Sequence, residues 1–217
     1  MPGFRAIGHH LAGIAALAER QGQRCGGPVL LAGMVLGLGL VQLVCGPLGQ
    51  TSRFSLELLI LVVLQLMGPM LVALLALALL LPRWLEQLER HGDRAWRTSL
   101  PATALVGGLL LLLFLVAAVS GGALASPRAD LLGEIRDLLA GVLLRDVARA
   151  GLRATLFLSA LCAWSQWRLQ QGLDRGRDPG LMVSDQLSEG LVLLLTLKLL
   201  WIGLLDPLPL MFSTNPP

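Results

Sequence analysis

Charge, lysine and cysteine are all scarce in this chain. Charged residues are 14% of 217, and one lysine, Lys198, stands against sixteen arginines among the seventeen basic residues. The net charge of only +3, with the arginines gathered between apolar runs, gives no footing for a nucleic-acid partner. The three cysteines, Cys25, Cys45 and Cys162, are odd in number and scattered, so neither a disulfide framework nor a zinc site follows from them, and small apolar packing residues is the plain reading. A Gly-rich phosphate loop, an H-E-x-x-H pair and a Cys/His cluster are all missing. No histidine falls in an expected span to act as an intramembrane base, which leaves a hydrolytic triad without support and the chain an expected non-enzyme, with no metal or cofactor implied. Acidic residues at membrane depth, the usual need of an ion-coupled carrier, are thin as well.

What is abundant is uninterrupted apolar sequence. Gly26 to Ser52, Leu58 to Pro82 and Thr98 to Pro127 carry no charge, and each exceeds the roughly 20 residues that cross a bilayer. The expected fold is an all-α integral membrane protein forming one domain over 1–217: an N-terminal interfacial helix, about five transmembrane helices, and an amphipathic helix between the third and fourth. The spans are expected at 28–48, 56–81, 102–124, 148–167 and 187–205, with a cytoplasmic segment at 82–101. The fourth carries Arg149 and Arg153 in its first turns, which suits a span only if they lie at the interface or in protein.

Met1 to Arg24 lacks the apolar core of a cleavable signal. Phe4, Ile7, Leu11, Ile14 and Leu17 recur at helical spacing, so residues 1–25 read as a helix lying in the interface. His9 and His10 are adjacent, point in different directions on a helix and make a poor metal pair. Leu131, Ile135, Leu138, Leu139, Val142 and Leu143 form a similar stripe among Glu134, Arg136 and Asp137, which reads as an amphipathic surface helix.

Orientation follows from the arginines. Arg5, Arg20 and Arg24, then Arg83, Arg90, Arg94 and Arg97, then Arg168, Arg175 and Arg177 fall on one side; the other has Arg53, none after Asp206, and a mixed third connection in which Arg128, Arg136 and Arg145 are offset by Asp130, Glu134, Asp137 and Asp146. The excess puts the N-terminus in the cytoplasm, and five crossings put the C-terminus opposite. Trp84, Trp96, Trp164 and Trp167 cluster at the same proposed side, with Trp201 toward the other.

Three features stand out inside the spans. Gly33 and Gly37 are a small-xxx-small pair for close helix packing, within the chain or between subunits. Lys198, near the middle of the fifth span, either meets an anionic headgroup or carboxylate or plays a structural part. Gly68-Pro69 interrupts the second span, removing a backbone donor, kinking the helix and exposing carbonyls.

The stretch Gln65-Leu66-Met67-Gly68-Pro69-Met70-Leu71-Val72-Ala73-Leu74-Leu75 resembles the MlaE/YrbE family, permease subunits of ABC transporters that work with MCE-domain proteins to move lipid between bacterial membranes. That family has Glu-Leu-Gly-Pro-Val-Leu-Thr-Ala-Leu-Leu in its second span. Gln87-Leu88-Glu89-Arg90-His91-Gly92-Asp93 resembles the family's Ala-Leu-Glu-x-x-Gly-x-Asp-Pro coupling region, one residue short and with Arg94 for the proline. Gly151-Leu152-Arg153-Ala154 with Phe157 resembles a Leu-Leu-Lys-Ala-x-x-Phe pattern, and Trp167 replaces a Tyr. The matches come in the family's order along most of the chain.

The departures are equally definite. Gln65-Leu66 stands for Arg-Glu, Val72 for Thr, and Ala78-Leu79-Leu80-Leu81 for Gly-Arg-x-Gly. The connection to the coupling segment is about three helical turns shorter. Groups that would meet a headgroup or brace the span have become aliphatic.

The resemblance implies a permease in the bacterial inner membrane, with phospholipid or another lipid as cargo. Its partners would be an ABC ATPase subunit that hydrolyses ATP, an MCE-domain substrate-binding protein and a second permease subunit, in a homodimer or heterodimer. Leu66, Met67, Met70, Leu74 and Lys198 would lie on the lipid path. Glu86, Gln87, Leu88, Glu89, Gly92 and Asp93 would meet the ATPase, and Gly68 and Pro69 would be the hinge. The alternatives are a degenerate, non-transporting partner of a paralogous permease, or a membrane scaffold.

Overall fold

The computed structural model describes residues 3–45, 62–92, 95–125, 144–176 and 178–204. Every element is helical: α1 (Gly3–Cys45), a π-helical turn (Val62–Met67) leading into α2 (Gly68–His91), α3 (Ala95–Ala125), α4 (Leu144–Asp174) and α5 (Pro179–Leu204). All five long helices contain a stretch long and apolar enough to cross a membrane. The protein is an all-α, multi-pass membrane fold. The surface helix expected around 131–143 lies outside the described residues, as does Arg53.

The helix boundaries differ from those expected: α4, which contains no proline, outruns 148–167 at both ends, α5 begins at Pro179 and not at 187, and the first three helices differ at prolines. Residues 1–25 and 28–48 were to be separate helices, but α1 runs unbroken from Gly3 to Cys45 through Pro28. Proline there removes one bond to the Arg24 carbonyl, while its neighbours Cys25 and Val29 are fully buried, so lateral packing holds the helix across the missing bond. At about 65 Å, α1 carries the N-terminal stripe and the first span as one rod. The second span likewise continues past Leu81 and Pro82 to His91. Its buried stripe continues too, through Leu77, Leu81, Trp84, Leu85 and Leu88, and a continuous apolar face favours a continuous helix. The expected segment 82–101 therefore includes the last turns of α2 and the first turns of α3, which passes Pro101. Gly92 caps α2 with φ 53°, its N–H bonded to the Leu88 carbonyl, a backbone conformation that glycine adopts without strain.

α3 packs closely along α1 and also against α4, while α4 touches α2 and α5. The α1–α3 seam is made by glycine. A Cβ on Gly33 would sit 2.6 Å from the Phe114 carbonyl oxygen, one on Gly37 1.9 Å from that of Ala118, and one on Gly121 2.2 Å from that of Met34. Lipid offers apolar side chains no incentive to leave it, so close backbone approach is what brings such helices together. The small-xxx-small pair is thus engaged inside the chain. Outward faces carry leucine and valine, among them Leu31, Val35, Leu109, Val116, Val192 and Leu199, an exposed apolar surface suited to lipid.

Gly37→Leu should therefore separate α1 from α3, whereas Gly39→Leu, at a position where an added Cβ meets nothing within 4 Å, should be tolerated. The expected cost of overpacking at Gly37 is about 1–3 kcal/mol, read as a lower thermal midpoint in detergent for that variant alone.

Candidate functional site: a proline-broken turn held by two buried cations

The sequence arithmetic of Pro69 locates the site. In an α-helix the N–H of residue i serves the carbonyl of i−4; proline has none, so the Gln65 carbonyl loses its ordinary donor. Just there the backbone widens into the π-helical turn Val62–Met67, and π-turns often occur at functional positions in helices. Gly68 is needed because a Cβ would lie 2.1 Å from the Val63 carbonyl oxygen. Both Gly68 and Pro69 are buried.

Two other helices satisfy the released carbonyl. Lys198 of α5 donates from Nζ to the Gln65 oxygen at 2.6 Å, and Arg153 of α4 approaches the same oxygen through Nη1 at 3.5 Å. Both cations are 6% exposed. The Arg153 guanidinium also lies 5.3 Å from the Trp201 ring centre, within range of a cation–π attraction, and Trp201 meets Phe157 edge-on at 6.1 Å. A buried charge must be compensated locally. Here the carbonyl dipole and an aromatic face contribute, so that α2, α4 and α5 meet at one backbone oxygen.

The expected lipid-path residues separate at this point. Met67, Met70 and Leu74 share a face of the second span at i, i+3 and i+7. Met67 is exposed and the other two are half-buried, so the face is partly open to whatever surrounds the chain. The Leu66 side chain lies outside the described residues. Lys198 is not on that face but bound to the backbone, and Arg153, expected at an interface or in protein, is in protein. Arg149 is exposed.

Among the expected coupling residues, Glu86 and Glu89 are exposed, Gln87 is half-buried and Leu88 is 3% exposed. Leu88 therefore anchors the end of α2 instead of offering a contact surface. Glu86 pairs with Arg83 at 3.2 Å. Asp93 lies outside the described residues.

A buried polar belt, not anticipated from the sequence, crosses the bundle nearer the Glu86–Gly92 end of α2. Gln166 donates to Ser99 at 2.6 Å and Gln186 to Ser165 at 3.3 Å. Thr103 reaches Gln21 Oε1 at 3.5 Å and Cys162 Sγ at 3.6 Å. Contributions from α1, α3, α4 and α5 tie the four helices together through side chains. The available signal was polar spacing at i, i+4 within apolar spans, Ser99 with Thr103 and Cys162 with Gln166. Farther along the α4–α5 contact, Arg168 holds Glu189 through two hydrogen bonds, one of 2.8 Å from Nε to Oε2 and one from Nη2 to Oε1. Among the described residues, no three of His, Cys, Asp or Glu converge as a metal site would require.

Lys198→Met, which keeps the stem and removes the donor, should lower stability by about 2 kcal/mol. Pro69→Ala restores an N–H to Gln65 and should recover part of that loss in the double variant, a coupling of roughly 0.5–3 kcal/mol measured by thermal unfolding in detergent. Strict additivity of the two changes would show that the lysine does not serve the broken bond.

Compared with family models, with curated proteins and with solved structures, the chain matches none of them.

Proposed function

We propose that the chain is the membrane permease subunit of an ABC-type lipid transport complex, working with a separate ATPase subunit, an MCE-domain lipid carrier and a second permease subunit. The observation that carries this reading is the unbroken helix α2. It joins the exposed carboxylates Glu86 and Glu89 at one end to the Gly68-Pro69 turn at the other, about 36 Å for 24 residues. A helix of that length is a stiff lever: displacement at its polar end is delivered to the π-turn, where the backbone is already open and held by side chains from other helices. The resemblance of the Gln65–Leu75 stretch to the MlaE/YrbE second span supports the same reading. In this mechanism closure of the ATPase dimer moves the Glu86–Gly92 end, and the turn at Pro69 changes the angle of the face carrying Met67, Met70 and Leu74. A second subunit would close that face into a path for lipid tails. The setting is the bacterial inner membrane with the N-terminus in the cytoplasm.

One observation favours a variant of this reading. Lys198 is committed to the chain's own Gln65 carbonyl, and the positions where the family has polar side chains are aliphatic. A paralogous permease would then supply the headgroup site, with this chain contributing shape and an ATPase contact.

Purification of the tagged, full-length chain from its own membranes in mild detergent, followed by mass spectrometry, tests both. An ATP-binding subunit together with an MCE-domain protein is the expected result, and a second permease chain beside them selects the heteromeric form. Glu89→Ala should reduce recovery of the ATP-binding subunit several-fold without altering membrane insertion. Recovery without any nucleotide-binding subunit would overturn the transporter reading.

A further inference from the structure

Beside the polar belt, α1 and α2 leave an open groove between them whose lining includes Leu17, Arg20, Gln21, Arg24, Leu80 and Arg83. Three arginines on two helices therefore face one cleft in a chain that has few charges. Among the described residues no carboxylate lines it. Glu86 reaches Arg83 from outside at 3.2 Å, and Glu19 accepts a hydrogen bond from Gln23 at 3.3 Å.

The level of the groove relative to the apolar sequence identifies its ligand. Arg24 is the last charge before the charge-free part of α1, which runs to Cys45, and Arg83 is the first charge after the charge-free part of α2. Residues 25 to 45 span about 31 Å, matching a hydrocarbon core of about 30 Å. Arg24 and Arg83 thus mark the same edge of that core from two helices, the level at which lipid phosphates lie. Leu17 is half-buried and Leu80 is 1% exposed, so the cleft has an apolar wall beneath its cationic rim. Gln21 is 5% exposed, and its Oε1 accepts from Thr103, so the amide N–H₂ is the end suited to a ligand oxygen. Arginine forks match phosphate oxygens in pairs.

We infer that this groove is a binding site for the phosphate of an anionic membrane lipid, held by Arg20, Arg24 and Arg83. The inference rests on these residues and not on the transport reading; it applies equally to a scaffold. Its consequence is local: an anionic lipid would bridge the polar end of α1 to that of α2.

The test is native mass spectrometry of the full-length protein, exchanged into detergent with phosphatidylglycerol or with phosphatidylcholine of the same acyl chains. The wild type should retain phosphatidylglycerol preferentially. The Arg20→Gln/Arg24→Gln/Arg83→Gln variant should lose that preference by roughly tenfold or more, since each basic residue at a membrane surface contributes about fivefold. Arg97→Gln, which removes an exposed arginine outside the groove, should not. The three single changes, all at exposed side chains, decide the matter should the triple variant unfold, and circular dichroism checks each. Equal retention by the variants, or an equal loss in Arg97→Gln, would overturn the site. Complete displacement of the lipid by millimolar inorganic phosphate would also overturn it, by making the ligand a free anion. Co-purification of an ATPase bears on none of these outcomes.

Discussion

One missing hydrogen bond organises the centre of this protein. In lipid there is no water to repair a backbone carbonyl, so Pro69 obliges the chain to find a donor for Gln65 from elsewhere in the fold. The fold brings Lys198 and Arg153 from two other helices to that oxygen, with Trp201 beside the guanidinium and Phe157 edge-on to Trp201. The defect in α2 thereby becomes the point where α4 and α5 are fixed in register with it. Removing the defect would also remove the reason for burying two cations, so the proline and the lysine are best understood as a pair.

Around that point the bundle uses two kinds of adhesion, segregated in space. The α1–α3 seam is dry and close, set by glycines at which even a methyl group would collide with a carbonyl. Toward the opposite end of that seam, the same two helices join α4 and α5 through amide and hydroxyl groups. Backbone contact is sensitive to volume but indifferent to orientation along the seam, whereas hydrogen bonds fix register. Together they define how far apart α1 and α3 sit and which residues face one another. They do so without the hydrophobic effect that would perform the task in water.

How much of this was legible in the sequence depends on which interaction set each feature. The three long apolar runs needed only charge counting, because lipid excludes charge irrespective of tertiary detail. Helix ends were read too early at Pro28 and Pro82, since proline signals a local loss and the compensating contacts of Cys25, Val29, Trp84 and Leu88 are non-local. The polar belt was hidden for a different reason. Ser120 and Thr196 bond back to carbonyls four residues earlier, each at 2.8 Å, and from sequence alone Ser99 and Thr103 look no different from these. Lys198 was recognisable as an anomaly, but its partner is a backbone atom, which no pattern of side chains reveals. Counting four residues back from Pro69 would have pointed to Gln65.

The scarcity of lysine gives that buried contact a practical meaning. Lys198 carries the chain's one side-chain amine, and it is shielded inside the bundle. An amine-directed reagent therefore has a single side-chain target, and its access to that target is governed by whether α5 stays seated on the turn before Pro69. The protein carries, in effect, its own chemical reporter of whether α5 remains seated against the turn before Pro69.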